Sequence, residues 1–228
     1  MSHRVMLLGT EHAFTVDPDE SMLGAALRAN IHLAHDCKSG TCGTCRFKLV
    51  EGTICYREPP MGLSPEEEEE GFALACQALP TSDIVAGAEI LSPLLADPAR
   101  HKAAVKGVDS LSRDVTRLTL QLPEGASCAY RPGQYVNILM DDGRPRSFSM
   151  ASVPNGGTID FHVRTIPGGH FTEGRLPQLA PGETLDVELP LGSFFLRKDD
   201  FRPLLMLATG TGLAPIKSIL ESLLDDPD

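Results

Sequence analysis

Cys37, Cys42, Cys45 and Cys76 are the residues of this chain whose types and spacing most directly imply chemistry. The first three lie in the run Cys37-Lys38-Ser39-Gly40-Thr41-Cys42-Gly43-Thr44-Cys45, a C-x4-C-x2-C spacing followed by one distant cysteine. That is the spacing of a loop that wraps a [2Fe–2S] cluster. A two-iron rhomb needs four thiolates converging from different directions, and one tight loop can deliver three of them. Gly40 and Gly43 let the backbone bend and aim N–H groups at the cluster sulfurs. Structural disulfides fit less well in a chain without a signal peptide. Zinc sites favour paired C-x2-C spacings, and only one such pair exists here. A Rieske centre would need histidines in place of two cysteines, and no Cys-x-His pair occurs. Cys55 and Cys128 are left over, and both are expected to be small buried hydrophobes.

Further along the chain come three shorter motifs. Arg146-Ser147-Phe148-Ser149, preceded by Arg144-Pro145, reads by itself as a surface strand. His162-Val163-Arg164-Thr165-Ile166-Pro167-Gly168-Gly169-His170-Phe171-Thr172 reads as a strand that ends in a glycine turn. Gly210-Thr211-Gly212-Leu213-Ala214-Pro215 follows the apolar run Leu204-Leu205-Met206-Leu207-Ala208. Glycines after a buried strand let a dinucleotide approach the backbone at a helix N-terminus.

The elements that must position these residues fall into three patterns. Residues 5–8 and 13–16 read as a hairpin, 21–30 as a helix with an apolar face of Met22, Leu23, Ala26 and Leu27, and 46–50, 72–76 and 83–90 as strands. Ser64-Pro65 starts a short acidic helix that holds Glu66 to Glu70. Two prolines, in Ser92-Pro93 and Asp97-Pro98, mark a boundary. Two strands within 103–122, then 135–140, 159–165 and 185–189, broken by Gly and Pro, suggest a small antiparallel barrel. Residues 204–208 are expected to be a strand buried on both faces, leading into a helix over 216–224.

On these motifs, in this order, the chain resembles the iron–sulfur flavoprotein reductases, members of the ferredoxin–NADP reductase superfamily with an N-terminal plant-type ferredoxin domain. The resemblance implies an α+β/β multidomain chain. A β-grasp ferredoxin domain over 1–92 and a linker over 93–101 would precede an antiparallel β-barrel flavin domain over 102–200. The first βα unit of an incomplete α/β nucleotide-binding domain would follow over 201–228. It implies the cluster ligands Cys37, Cys42, Cys45 and Cys76. Flavin would be held by Arg146, Ser147, Phe148 and Ser149 and by His162, Val163, Arg164, Gly168, Gly169, His170, Phe171 and Thr172. In that scheme Arg146 pairs with flavin phosphate, Phe148 lies along the flavin, and Ser149 bonds its redox-active edge. Backbone N–H groups after Gly168-Gly169, with the Thr172 hydroxyl, receive the pyrophosphate. Gly210, Thr211, Gly212, Leu213, Ala214 and Pro215 would form the NAD(P) loop. FAD rather than FMN is implied by the N-terminal ferredoxin domain.

The implied electron path runs from NAD(P)H through FAD to the cluster and on to an acceptor protein, and it needs no general acid or base. His32 and His35 are then exposed loop histidines. Three versions stand: a reductase for an oxygenase component, a reductase for a non-oxygenase partner such as a CDP-deoxysugar dehydratase, and a non-catalytic electron carrier. Family members continue further to complete the nucleotide domain. The chain is therefore expected to be a C-terminal truncation in which cluster and flavin binding survive better than nucleotide affinity.

Charge bounds the partners. The formal net charge of −11 argues against nucleic acid. No apolar run approaches membrane-spanning length, and a cytoplasmic protein is expected. The acidity is concentrated before residue 96, where six Lys/Arg face fourteen Asp/Glu. The Glu66 to Glu70 run is either a solvated helix face or an acidic docking surface for a basic redox partner.

Overall fold

A computed structural model describes residues 1–91, 96–126, 129–197 and 203–224. The chain forms two compact units, Met1–Leu94 and Leu95–Asp228. Each has its own buried core.

The first unit is a five-stranded mixed sheet in the order β2-β1-β7-β3-β5. Its strands are β1 (His3–Leu7), β2 (Ala13–Val16), β3 (Arg46–Glu51), β5 (Phe72–Leu74) and β7 (Ile84–Gly87), with a separate small ladder of β4 (Ile54–Cys55) and β6 (Leu79–Pro80). β1 shows why strands form here: Val5 and Leu7 point into the core while Arg4 and Met6 point out, the period-two pattern of a half-buried strand. Helix α1 (Met22–Arg28) covers the sheet with Met22, Leu23, Ala25 and Ala26. Ser21 caps it by accepting the Gly24 N–H at 3.1 Å, which satisfies one of the donors that a helix start leaves open. Helix α2 (Pro65–Glu69) buries no side chain and is held by a reciprocal capping box between Ser64 and Glu67.

The second unit is built on a six-stranded antiparallel sheet in the order β11-β10-β13-β8-β9-β12. These are β8 (Ala99–Ser110), β9 (Val115–Gln121), β10 (Tyr135–Leu139), β11 (Pro145–Ser149), β12 (Thr158–Arg164) and β13 (Thr184–Leu191). The two edges of the sheet meet at a bridge between Met150 and Phe161, reinforced by the Ala151 N–H on the Asp160 carbonyl at 2.7 Å. A one-turn π-helix, His170–Arg175, follows the glycine turn after β12. The 3₁₀ turn Gly210–Gly212 opens helix α3 (Leu213–Leu224), which packs on this unit through Ala214, Ile216 and Ile219.

Several expectations are corrected. Residues 204–208 form no strand, and Leu204, Leu205 and Leu207 are 56%, 84% and 81% exposed. A strand buried on both faces needs hydrogen-bonding neighbours and covering layers, and the described residues supply neither at this segment. Cys55 is exposed rather than buried, because Ile54 takes the inward position of the two-residue strand β4 and period two turns its neighbour outward. The strand expected over 72–76 stops at Leu74. There the Gln77 and Ala78 N–H groups both turn back onto the Leu74 carbonyl. His35 is half-buried, with Nδ1 2.7 Å from the Leu33 carbonyl. Burial pushes its imidazole below the ordinary range. Cys128 and the Ser92-Pro93 boundary lie outside the described residues.

Candidate redox sites

The cluster loop is shaped by backbone conformations that few residues adopt. Lys38, Gly40 and Gly43 have φ of 56°, 77° and 72°, so the chain curls left-handed three times between Cys37 and Cys45. Two outside residues hold that curl in place. The Gly62 N–H donates to the Gly40 carbonyl at 2.8 Å, and the Gln77 amide donates to the Lys38 carbonyl at 3.2 Å. Gly62 lies directly over the loop: a Cβ there would stand 2.9 Å from Gly43 N and from the Thr41 carbonyl carbon and oxygen. Sequence reasoning missed Gly62 and Gln77. The Pro59-Pro60-Met61-Gly62 string, a turn signature, was the available clue to the first.

Strand register delivers the fourth cysteine. β3 and β5 pair with Arg46 opposite Leu74, and the Ala75 N–H reaches the Cys45 carbonyl at 2.9 Å. Cys45, one residue before Arg46, and Cys76, two residues after Leu74, lie beyond the same end of that ladder and are thereby brought together. Both are buried, whereas Cys37 and Cys42 are exposed.

Each sulfur has polar company. The Ser39 N–H lies 3.4 Å from Cys37 Sγ, the Thr44 hydroxyl 3.2 Å from Cys42 Sγ, and the Gln77 amide 3.8 Å from Cys76 Sγ. Burial pushes the Cys37 thiol up, but hydrogen bonds from the side chains and backbones of Ser39 and Thr41 outweigh it and hold the group at about 5. Cys45 and Cys76 share a hydrogen bond that pushes the Cys45 thiol up and the Cys76 thiol down. Cys42 acts electrostatically on Cys45 and Cys37 on Cys76, which brings all four thiols into one field. Among the described residues no three His, Cys, Asp or Glu side chains gather tightly enough to hold a single metal ion. Four cysteines spread over this loop and the adjoining strand end, with N–H donors at Cys37 and Cys76, fit a two-iron cluster better than a zinc ion.

In the second unit, β11 runs along β10 with Phe148 opposite Val136 and Ser149 opposite Tyr135. Phe148 and Phe171 meet with ring centroids 5.3 Å apart, so the two sequence motifs come together through an aromatic contact. Arg146 donates to the Arg144 and Pro145 carbonyls at 3.4 and 3.1 Å, beside the Asp142 carboxylate at 3.7 Å. Ser147 is tied to Asn137 at 2.7 Å. Along β12 the side chains alternate. Phe161 and Val163 enter the core, so Val163 has only its backbone to offer a ligand, and His162 and Arg164 face outward. Burial, and after it the Lys217 charge, pushes His162 below its ordinary range.

The turn after β12 is locked from both sides. The buried Thr172 hydroxyl accepts the Ile166 N–H at 3.1 Å, and Gly168 gives its N–H to the Glu173 carboxylate at 2.6 Å. The Glu173 carboxylate oxygen thus occupies the position at that N–H which an anionic ligand's oxygen would have to take over. His170 is exposed and Phe171 buried at the start of the π-helix. At the third motif, the Gly212 N–H closes onto Thr209 at 3.0 Å. The Arg164 guanidinium, paired with Asp114 at 3.0 Å, lies 3.7 Å from where a side chain at Gly210 would begin. Leu213 is exposed, while Ala214 and Pro215 are buried.

Four cysteines gathered at one end of a mixed five-stranded sheet, and a separate antiparallel unit in the same chain, define a two-module protein. Residues 5–81 match the 2Fe-2S iron-sulfur cluster binding domain, and residues 102–196 match the oxidoreductase FAD-binding domain. The chain is 40% identical over 227 residues to terephthalate 1,2-dioxygenase reductase component 2 of a Comamonas species, covering 98% of this chain and 66% of that one. It is 34% identical over 230 residues to the CDP-6-deoxy-L-threo-D-glycero-4-hexulose-3-dehydrase reductase of Yersinia pestis, covering 100% and 69%. The crystal structure of the Amycolatopsis cytochrome P450 reductase GcoB superposes with a TM-score of 0.67 at 32% identity, over 98% of this chain and 68% of that one. The chain belongs to the iron–sulfur flavoprotein reductases, and it spans about 66% of the length of the terephthalate dioxygenase reductases it matches. Among the described residues no helix is long and apolar enough to cross a membrane.

Proposed function

We propose that the chain takes electrons from NAD(P)H through FAD to a [2Fe–2S] cluster and hands them to an acceptor protein, most directly an oxygenase component. The observation that carries this reading is the joining, in one chain, of a loop preset for four thiolates and an aromatic-lined strand that ends in an anion-suited turn. When bound, the two cofactors would convert the two-electron equivalent of a nicotinamide into single electrons. Cys37, Cys42, Cys45 and Cys76 would ligate the cluster, with the exposed pair on the side from which electrons leave.

In the flavin unit, which we read as a barrel closing between β11 and β12, Arg146 and the turn after Gly168 would take phosphate. Phe148 would lie along the flavin, and Ser149 would bond its edge. Arg164 and the turn Gly210–Gly212 would meet the nucleotide. The helix α2 carboxylates would meet a basic acceptor. Exchanging Glu66, Glu68 and Glu69 for Lys should then slow cluster oxidation by the acceptor and remove its salt dependence.

A second reading, electron supply to a sugar dehydrase, rests on the match to the Yersinia reductase, which covers 100% of this chain and 69% of that one. Anaerobic titration with NADH and NADPH, followed through both flavin and cluster absorbance, tests the shared core of these readings. Bleaching of both chromophores is expected. Cluster bands that dithionite bleaches but neither nucleotide touches would leave only an electron carrier.

A further inference from the structure

Helix α3 is tied to the flavin-binding strand by more than apolar contact. Ser218 is fully buried, with no exposed surface, and its hydroxyl donates to the Ser152 carbonyl at 2.6 Å. The Lys217 ammonium donates to the Ala151 carbonyl at 2.9 Å. Ala151 and Ser152 follow β11 directly, two and three residues beyond Ser149. Ser152 is itself a junction: its carbonyl also takes the Tyr130 hydroxyl at 2.9 Å, and its Oγ takes the Asp160 N–H of β12 at 3.1 Å. Beside these bonds lies an open polar cavity of about 420 Å³ lined by Ser152, Asn155, Thr158, Asp160, Lys217 and Glu221. Packing is therefore incomplete on this side, and the two hydrogen bonds supply the specific registration.

We propose that Lys217 and Ser218 are positioning residues that bolt the glycine turn Gly210–Gly212 to the flavin strand, fixing where a nicotinamide nucleotide sits relative to the flavin. The inference rests on the reading that this turn holds the nucleotide. The geometry gives it content. The turn opens α3 five residues before Lys217, and a 12-residue helix transmits a shift at one turn to its end as a rigid rod. The same two carbonyls that anchor the helix sit on the segment leaving Ser149. A displaced α3 would therefore move the nucleotide loop against the flavin edge without disturbing flavin binding.

The test uses the full chain loaded with FAD and the variants Ser218→Ala and Lys217→Met, the second of which keeps the aliphatic stem. Hydrogen exchange by mass spectrometry should show amides of 209–224 exchanging about tenfold faster in each, as expected for the loss of one buried hydrogen bond, with β8 to β13 unchanged. Rapid-mixing reduction by NADH or NADPH should show the limiting rate per bound flavin falling about tenfold, with nucleotide Kd and FAD content within about twofold of the parent. A purely structural role would instead lower FAD content and leave the rate per bound flavin unchanged, and that result overturns the proposal. Parent-like exchange over 209–224 in both variants overturns it too. If the parent chain is reduced by neither nucleotide, the function proposed above fails, and the exchange data alone then judge whether the two bonds anchor the helix. If Ser218→Ala does not fold, Lys217→Met decides by the same two measurements.

Discussion

Replacing Gly62 by alanine should dislodge the cluster while leaving the rest of the chain intact. Gly62 has no left-handed backbone to preserve, so alanine is conformationally permitted there; the obstacle is space. The new Cβ would stand 2.9 Å from three backbone atoms of the cluster loop, Gly43 N and the Thr41 carbonyl carbon and oxygen. A flexible side chain could yield, but these atoms are fixed by the left-handed residues at 38, 40 and 43. Overpacking of this kind costs about 1–3 kcal/mol, or roughly five- to 150-fold in the equilibrium between the closed and sprung loop. The Gly62 N–H bond to Gly40 strains with it. Gly9→Ala is the matched control. Its φ of 76° makes alanine unfavourable, but no atom lies within 4 Å of the added carbon. That substitution should cost about 1–2 kcal/mol of overall stability from backbone strain alone. Iron and acid-labile sulfide per chain, followed during a chelator challenge, separate the two. Cluster loss should be at least about fivefold faster in Gly62→Ala and unchanged in Gly9→Ala. Equal rates in the two variants would refute the idea that the 60–62 turn is a roof over the cluster loop.

Cys76→Ser should lose the cluster and electron transfer to an acceptor while keeping FAD; if flavin is lost in the same proportion, the two units are not independent modules. In the cluster-free chain Cys37, held at about 5, should be thiolate at neutral pH and alkylate with iodoacetamide at a rate that falls as pH drops through about 5. Its folded value lies below the unfolded value of about 8.5, so folding releases a proton between the two. The stabilisation is complete above the higher value and lost as pH falls through the lower one, and a rate that falls instead near pH 8 would contradict the Ser39 and Thr41 hydrogen bonds. Thr172→Val is isosteric but orphans the Ile166 N–H, a cost of about 1–3 kcal/mol. FAD Kd by fluorescence should rise about tenfold, and an unchanged Kd would remove the turn from the flavin site.

What was legible in the sequence was mostly local. The C-x4-C-x2-C spacing is set by covalent distance, and Ser21, Ser64 and Pro65 mark their helix starts wherever the helices pack. The parts that stayed hidden depend on residues far apart in sequence. Gly62 matters only because its turn folds over Gly43, and Ser152 only because Tyr130, Asp160 and Ser218 converge on it. The apolar run 204–208 shows the limit of pattern reading. Hydrophobicity states what a segment would bury, and only hydrogen-bonding neighbours decide whether it becomes a strand.

The two sites are preorganised by different means, and this predicts where each is fragile. Around the cysteines, shape resides in the backbone: left-handed residues, a roof of glycine, and donors from main chain and short side chains. Adding a methyl group there does more damage than removing a polar atom. Around β11 and the turn after β12, the proposed flavin site, shape resides in side-chain hydrogen bonds between Thr172 and Ile166, from Tyr130 and Ser218 to Ser152, and from Lys217 to Ala151. There the damaging change is loss of one hydroxyl or ammonium, because a buried partner left unpaired costs more than the bond contributed. A cluster that must be enclosed on several sides calls for a backbone cage. On the function proposed above, a flavin that must meet a nucleotide on one face calls for a surface held in register from behind, which side-chain hydrogen bonds would provide without covering it.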